Sequence, residues 1–453
     1  GSENGYEDTG ETIRLETRPS SSQGNGVVGF TDLDGDGNED VLLSDRFGED
    51  FFQVIYGAGS LSEVSFRLHR SFTDFLPASY NVADLDGDGK GSIVQLVRTR
   101  SDLPQARVQV LEIRSNRDER PDVTQSFVAE ELGRFVRQNQ LSLIDITGDS
   151  TREIATTDGF NSKTYVFRRD TTSSDTTGVT YAETPDSLEK DDAVPVGDLD
   201  GDGRHDFYTF EDSTDTRYIS YGPSNLSEGL TFDTEIPYGE NVFGQAAYLP
   251  KGGLGDVTGD GRPDAGLGLT DSQDETVGRR FFSVNSDRTG RSPADVSYPE
   301  GHFFDQILQA EEIGDFNGDG TDDFALVRFS LGQIEVFYGG SPISSEPDLT
   351  IQSPINEGYV SVASGDFDGD GSADLAAEYN VGNRVEIFLG GSEADGQVDH
   401  VIDPNNFGFD RLRYLHTIGD VNGDGADDGA GARVGDRSVA GQHLCRRPPN
   451  AEV

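Results

Sequence analysis

Apolar residues along this chain fall in short alternating runs separated by Gly, Asp, Asn and Ser, the period-two signature of half-buried β-strands. The stretch around residue 320 shows the unit. Gln309 to Ile313 leads in as a first strand, Asp323 to Phe329 leaves as a second, and Ser330-Leu-Gly332 turns into a third, Gln333 to Tyr338. Asp348-Leu-Thr-Ile351 then supplies a fourth strand, and Tyr359 to Ala363 opens the next unit. Third strands ending in an aromatic or apolar residue plus Gly recur as Val54-Ile-Tyr-Gly57, Ile219-Ser-Tyr-Gly222, Val336-Phe-Tyr-Gly339 and Glu386-Ile-Phe-Leu-Gly390, whereas units two, three and five lack that Gly. Further fourth strands are expected at Val64 to Leu68, Gln125 to Val128, Val179 to Tyr181, Leu230 to Phe232 and Asp399 to Ile402.

Four short strands per unit predict an all-β chain, a β-propeller of eight blades of four antiparallel strands, with seven blades as the alternative. Asp428 to Arg433 reads as a poor strand, and the last unit has no fourth strand of its own. Thr12 to Thr17 is a spare strand at the other end. If it completes the last blade, the ring has no free sheet edge. The expected organisation is a flexible tail over 1–10, a single propeller over 11–445 and a C-terminal tail over 446–453.

Between the first and second strands of every unit lies a nine-residue acidic loop. Copies start at Asp32, Asp84, Asp145, Asp198, Asp256, Asp315, Asp366 and Asp420, a mean spacing of about 55 residues, in the range of propeller and solenoid repeats. Position 2 is apolar every time: Leu33, Leu85, Ile146, Leu199, Val257, Phe316, Phe367 and Val421. It is expected to point away from the acidic side chains and anchor the loop in a core. Gly at positions 4 and 6 lets the backbone take the positive φ that folds the carboxylates around one point.

Carboxylates at positions 1, 3, 5 and 9 are hard oxygen donors, suited to calcium, which takes about six to eight such ligands. Position 7 tolerates many side chains, so it is expected to offer its backbone carbonyl. The candidate ligands of the first loop are Asp32, Asp34, Asp36, Asn38 and Asp40. The second has Asp84, Asp86, Asp88 and Lys90, with Ser92 in place of the last carboxylate. The third has Asp145, Thr147, Asp149, Thr151 and Glu153; the fourth Asp198, Asp200, Asp202, Arg204 and Asp206. The fifth and sixth offer Asp256, Thr258, Asp260, Arg262 and Asp264, then Asp315, Asn317, Asp319, Thr321 and Asp323. The seventh offers Asp366, Asp368, Asp370, Ser372 and Asp374, and the eighth Asp420, Asn422, Asp424, Ala426 and Asp428. Up to eight calcium ions follow, with loops two and three the weakest sites. An EF-hand is excluded, because position 12 of that loop is a Glu and here Leu43 stands there.

Composition narrows the function. With 453 residues, 84 acidic against 35 basic and a net charge of −49, attraction to nucleic acid or an anionic membrane surface is disfavoured. Eight divalent ions would offset only part of that charge, and Arg far outnumbers Lys, a balance like that of proteins from salt-loving organisms. Stability is therefore expected to rise with salt. Apolar runs fall short of the length that spans a bilayer, so no membrane insertion is expected. The single Cys445 precludes an internal disulfide. Weak open calcium loops point to an extracellular or cell-surface protein with its leader removed.

The pattern Asp-apolar-Asp/Asn/Thr-Gly-Asp-Gly-x-x-Asp, followed by a strand and then by aromatic-Gly-Gly-Ser, resembles the FG-GAP/VCBS repeat, the calcium-loop blade of the integrin α-subunit propeller. The resemblance covers nearly all of residues 12–440. It implies calcium loops on one face, ligand contacts on the other face or between blades, and a role as adhesion receptor, lectin or polysaccharide lyase.

The function expected is binding of a protein or glycan partner. The rivals are a secreted propeller-type lyase and a structural subunit of a surface layer, filament or virion. Recognition is expected opposite the calcium loops, where connections vary in length, on Phe47, Phe75, Tyr80, Tyr238, Phe243, His302, Phe303 and Phe407 with Arg98 and Arg100 for an acidic group.

Overall fold

Antiparallel pairing across each acidic loop builds the molecule. The computed structural model describes residues 26–44, 51–59, 65–70, 75–99, 106–113, 122–129, 141–158, 163–167, 181–183, 193–211, 216–224, 230–236, 255–270, 277–298, 307–328, 331–340, 342–353, 359–379, 384–403 and 412–433. These form eight small antiparallel sheets, with no helix longer than an isolated turn among the described residues.

Sheet one is β1 (Gly26–Thr31), β2 (Asp40–Ser44), β3 (Phe51–Tyr56) and β4 (Ser65–Arg70). Sheet two is β5 (Phe75–Ala83), β6 (Ser92–Thr99), β7 (Ala106–Glu112) and β8 (Asp122–Ala129). Sheet three is β9 (Leu141–Ile144), β10 (Glu153–Asp158), β11 (Lys163–Phe167) and β12 (Tyr181–Glu183), and sheet four is β13 (Val194–Gly197), β14 (Asp206–Glu211), β15 (Thr216–Ser220) and β16 (Thr234–Glu235). Sheet five shows three strands, β17 (Ala265–Thr270), β18 (Val277–Val284) and β19 (Gly290–Tyr298). Sheet six is β20 (Ile307–Gly314), β21 (Asp323–Arg328), β22 (Gln333–Phe337) and β23 (Leu349–Gln352); sheet seven is β24 (Tyr359–Gly365), β25 (Asp374–Tyr379), β26 (Val385–Phe388) and β27 (His400–Ile402). Sheet eight shows β28 (Leu412–Thr417) and β29 (Gly429–Arg433). Within each sheet, strands pair in chain order, as in a meander.

Period-two alternation gives each inner strand two apolar faces, and each face packs on a different neighbour. Leu42, Phe52, Val54 and Tyr56 of sheet one meet Val82, Ile93 and Leu111 of sheet two. On the other face of sheet one, Val41, Leu43 and Ile55 meet Ile418 and Val421, the segment between β28 and β29. The same sandwiching joins sheets two and three through Val94, Val108, Leu143 and Phe167, and sheets six and seven through Val327, Val336, Val362 and Phe388. Sheets stacked face to face in sequence order, with the last returning to the first, make a β-propeller. Each fully buried aliphatic side chain in these layers contributes about 1.5–3 kcal/mol.

Strand expectations hold in sheets six and seven, Gln125 to Val128 lies within β8, and Val64 to Leu68 and Val179 to Tyr181 are offset by one or two residues. Leu230 to Phe232 is not a strand. The Asp233 carboxylate accepts the Tyr221 N–H at 2.9 Å, as Asp348 and Asp399 accept those of Tyr338 and Leu389 at the entries to β23 and β27, so pairing starts at Thr234 and the buried Leu230 precedes it. Gly429–Arg433, poor in composition, is nonetheless a strand, because β28 supplies its pairing partner. The expected N-terminal strand lies outside the described residues, as do both expected tails.

Candidate metal loops

Every loop starts with a carboxylate that organises the backbone behind it. In loop seven, Asp366 Oδ1 accepts N–H bonds from Gly369 at 2.7 Å and Asp370 at 3.0 Å, and Oδ2 accepts Gly371 N–H at 2.9 Å. Gly369 and Gly371 sit at φ +74° and +92°, which an L side chain resists. The position-1 bond to the N–H at position 6 recurs in all eight loops: Asp32 to Gly37, Asp84 to Gly89, Asp145 to Ser150, Asp198 to Gly203, Asp256 to Gly261, Asp315 to Gly320, Asp366 to Gly371 and Asp420 to Gly425. Seven of the eight position-2 residues are fully buried, and Phe367 is partly so.

Position 9 works differently. Asp374 is buried; its Oδ2 accepts Phe367 N–H at 2.8 Å, and its Oδ1 accepts Gly390 N–H, just past β26, at 2.8 Å. The same brace links Asp40 to Leu33 and Gly57, Asp206 to Leu199 and Gly222, and Asp323 to Phe316 and Gly339. This explains the Gly closing those third strands. A Cβ on Gly390 would lie 2.0 Å from the Ala373 carbonyl oxygen, and one on Gly57 2.2 Å from that of Glu39. The sequence held the signal, since the units that lack the Gly are two and three, where position 9 is Ser92 or Glu153, and five. In unit five the freed oxygen of Asp264 is met by Thr258 Oγ1 at 3.3 Å.

The loops are also where neighbouring sheets are stitched together. The N–H at position 8 donates to the position-1 carbonyl of the preceding loop: Gly91 to Asp32, His205 to Asp145, Asp322 to Asp256, Ala373 to Asp315 and Asp427 to Asp366. Arg152 makes the equivalent bond one residue on, to Leu85. In loop five this place is Pro263, which has no N–H to give; there Arg262 reaches across to the Asp200 carbonyl at 3.5 Å. Asp322 and Asp427 return a bond, accepting the position-1 N–H of Asp256 and Asp366 on Oδ2. Residues beyond the third strand add a second stitch, Gly340 to Val257, Gly391 to Phe316 and Ala58 to Val421. The last joins sheet one to loop eight.

Acidic oxygens converge in four loops. One oxygen each of Asp32, Asp34 and Asp36, of Asp84, Asp86 and Asp88, of Asp198, Asp200 and Asp206, and of Asp366, Asp368 and Asp374 lie within 4.8 Å of one another. Loops three, five and eight close differently, with a neutral position-3 side chain donating directly to position 9. Thr147 Oγ1 bonds Glu153 at 3.2 Å, Thr258 Oγ1 bonds Asp264, and Asn422 Nδ2 reaches both oxygens of Asp428 at 3.0 and 2.8 Å. In loop six, Asn317 turns toward position 5 instead, donating to Asp319 Oδ2 at 3.1 Å.

Position 7 donates its N–H to the position-5 carboxylate in loops one, two, three, four, six, seven and eight, from Asn38, Lys90, Thr151, Arg204, Thr321, Ser372 and Ala426. Two of these side chains extend further, Lys90 Nζ to the Ile113 carbonyl at 2.6 Å and Arg204 Nε to that of Gly222 at 2.8 Å.

Burial without a counter-charge is written into the acidities. Desolvation pushes Asp40, Asp206, Asp264, Asp323, Asp374 and Asp428 up to about 7, helped by the acidic neighbours in the same loop and opposed by the hydrogen bonds each accepts. Burial likewise raises Glu153. Asp84 goes the other way: burial would raise it, but four backbone N–H bonds outweigh that and lower it. All-oxygen donor sets of this kind, partly buried and mutually repelling, fit a hard divalent cation such as calcium.

Residues 315–377 match the FG-GAP-like repeat. The match runs from position 1 of loop six through loop seven into β25. No curated protein matches the chain by sequence. Among solved structures, the chain resembles the exotype rhamnogalacturonan lyase YesX with a TM-score of 0.50 at 11% identity, over 96% of this chain and 76% of that one. It also resembles BBS1N in complex with ARL6DN, soaked with lead, with a TM-score of 0.45 at 12% identity over 85% and 99% of the two chains. For the Pseudomonas aeruginosa periplasmic gluconolactonase PpgL the TM-score is 0.40 at 13% identity, over 74% and 98%. At 11% identity the likeness to the lyase is one of fold.

Of the residues expected at a partner-binding face, only Tyr80 has a described side chain; Phe75 and Arg98 lie in described strands without one, and the others lie outside the described residues. Tyr80 is partly buried. Its ring lies 5.8 Å from that of Phe52 and packs between sheets one and two. At the same end, Arg328 and Glu335 form a buried pair at 3.2 Å, and Tyr359 donates to the buried Glu386 at 3.0 Å.

Proposed function

We propose that this chain is an extracellular, calcium-stabilised propeller of eight integrin-like FG-GAP blades that binds a protein or glycan partner at a cell surface. The observation that carries the calcium part is the convergence of three carboxylate oxygens in loops one, two, four and seven, in loops that also hold neighbouring sheets together. Asp32, Asp34, Asp36 and Asp40 would hold the ion in loop one, Asp84, Asp86 and Asp88 in loop two, Asp198, Asp200 and Asp206 in loop four, and Asp366, Asp368, Asp370 and Asp374 in loop seven. Calcium supplies the charge that buried carboxylates otherwise lack, and binding the native state alone adds stability by mass action. No helix among the described residues is long and apolar enough to cross a membrane.

The loop end is occupied by inter-sheet bonds, which leaves the opposite end for recognition. A glycan and protein array probed with and without calcium tests this. Charge substitutions at Arg98, Phe303 and Phe407 are expected to abolish binding while calcium affinity and Tm stay unchanged. Loss of binding on substitution of residues beside the calcium loops, with the opposite end tolerant, would overturn the assignment. An unchanged Tm in excess chelator would overturn the calcium reading.

The shared fold with a rhamnogalacturonan lyase favours one second reading, cleavage of an acidic polysaccharide. Appearance of unsaturated sugar ends on incubation with pectic substrates would establish it, and intact polymer would remove it.

A further inference from the structure

Loop four carries four aspartates, Asp198, Asp200, Asp202 and Asp206, and receives a cation from the next sheet. The hairpin between β18 and β19 of the next sheet delivers Arg288 onto it. Arg288 Nε lies 2.8 Å from Asp200 Oδ2, and Nη2 lies 3.0 Å from Asp202 Oδ2. The guanidinium thus spans positions 3 and 5 as a fork.

The placement is built from several sides. Asn285 N–H donates to the Thr289 carbonyl, and Arg288 N–H donates back to the Asn285 carbonyl at 2.8 Å, closing a tight turn. Arg288 itself stands at φ +64°, a backbone state that costs a non-glycine residue about 1–2 kcal/mol. Its carbonyl accepts bonds from Tyr221 Oη at 3.2 Å and Thr234 Oγ1 at 3.0 Å, which tie the turn to sheet four. Its guanidinium carbon lies 4.4 Å from the centre of the Tyr221 ring. The acceptor Asp200 side chain is only 3% exposed, so the pair is largely withdrawn from water on the carboxylate side.

We propose that Arg288 is an internal cation for loop four, competing with a divalent ion for Asp200 and Asp202. Loop four is thereby a weaker ion site than the same loop would be without Arg288. The inference rests on the calcium reading of the loops. With the ion absent, the guanidinium gives Asp200 its counter-charge, shares Asp202 with Arg204, and links sheet four to sheet five. With the ion present, a unit positive charge held on the same carboxylates opposes binding by about tenfold even in a water-like dielectric, and more strongly when shielded from solvent.

Calcium titrations of the full chain and of Arg288→Gln, Arg288→Gln with Asp200→Asn, and Asp374→Ala test it, with Tm measured in excess chelator and in saturating calcium. Arg288→Gln is expected to bind one ion about tenfold tighter or more, and adding Asp200→Asn should abolish that gain. Without calcium, Arg288→Gln should melt below the parent; with saturating calcium the gap should close or reverse. If Arg288→Gln fails to fold, Arg288→Ala carries the test, since it removes the same positive charge and should shift the isotherm in the same direction. An isotherm unchanged by either substitution, while Asp374→Ala loses one ion, overturns the proposal and leaves the calcium reading standing. Loss of no ion in Asp374→Ala overturns that reading itself.

Discussion

Loops seven and three follow the same backbone path and are closed by different chemistry. In loop seven, Asp366, Asp368 and Asp374 bring three oxygens within 4.8 Å, and Asp374 is braced by Gly390 from the third strand. In loop three, Thr147 donates to Glu153, whose longer side chain reaches the same Ile146 N–H that an Asp would reach from closer in. Ser150 is forced to φ +67° at the place of Gly371. A hydroxyl thus replaces a carboxylate, and a hydrogen bond does locally what a cation is proposed to do in loop seven. The difference shows that the repeat preserves a shape, while the means of neutralising its buried acid varies from sheet to sheet.

The comparison breaks most violently at the brace. Gly390→Ala would drive a Cβ to 2.0 Å from the Ala373 carbonyl oxygen and 2.6 Å from that of Phe316, neither of which can yield without moving a sheet. The expected loss is at or above the upper end of the about 1–3 kcal/mol typical of overpacking. Gly371→Ala meets no atom within 4 Å and carries only the positive-φ penalty of about 1–2 kcal/mol. Equal Tm losses in the two variants would show that the close approach at Gly390 is not what matters.

Next in size is the loss of position 9. Asp374→Ala leaves the Phe367 and Gly390 N–H groups without their acceptor, for about 1–3 kcal/mol, and should also cost one bound calcium. Glu153→Ala strands the Ile146 N–H and should cost a similar amount with calcium stoichiometry unchanged. Equilibrium dialysis with urea unfolding separates them, and an ion lost from Glu153→Ala would make the two loops alike.

Acidity sharpens the contrast further. In chelator, folded Asp374 titrates at about 7 against about 3.9 when unfolded. The folded state then holds the extra proton, so this contribution is complete below about pH 4 and is lost as pH rises through 7. Metal-free Tm is expected to fall from pH 4 to pH 7. Saturating calcium should cancel or reverse the slope, because the ion binds the ionised carboxylate. Parallel pH profiles with and without calcium would count against the metal reading.

The smallest effect is Ser150→Gly, which relieves a strained backbone and should stabilise the chain by about 1 kcal/mol or less in thermal unfolding. A destabilised variant would mean that the Ser150 side chain, and not its backbone, holds loop three.

Much was legible locally. The apolar residue at position 2, the carboxylates at 1 and 9 and the alternating strands on either side are short-range features, and Leu33, Asp40 and Val41 stand where their pattern placed them because strand period and loop length leave little choice. Leu230 to Phe232 misled because apolar residues say that side chains are buried, not that the backbone pairs; the fourth strand there starts only after Asp233.

Local pattern alone therefore carried the repeat, its register and the positions of the loop carboxylates. Tertiary structure decided which of those carboxylates converge, because that depends on position-3 side chains choosing between the loop centre and position 9, as Thr147, Thr258 and Asn422 do. It also decided that Gly57 and Gly390 are needed for contact with a neighbouring backbone, and that Ala58 meets Val421 to return the last sheet to the first. Arg288 lies 86 residues from Asp202. No periodicity within a unit can encode that meeting, since only the stacking of one sheet on the next brings the two together.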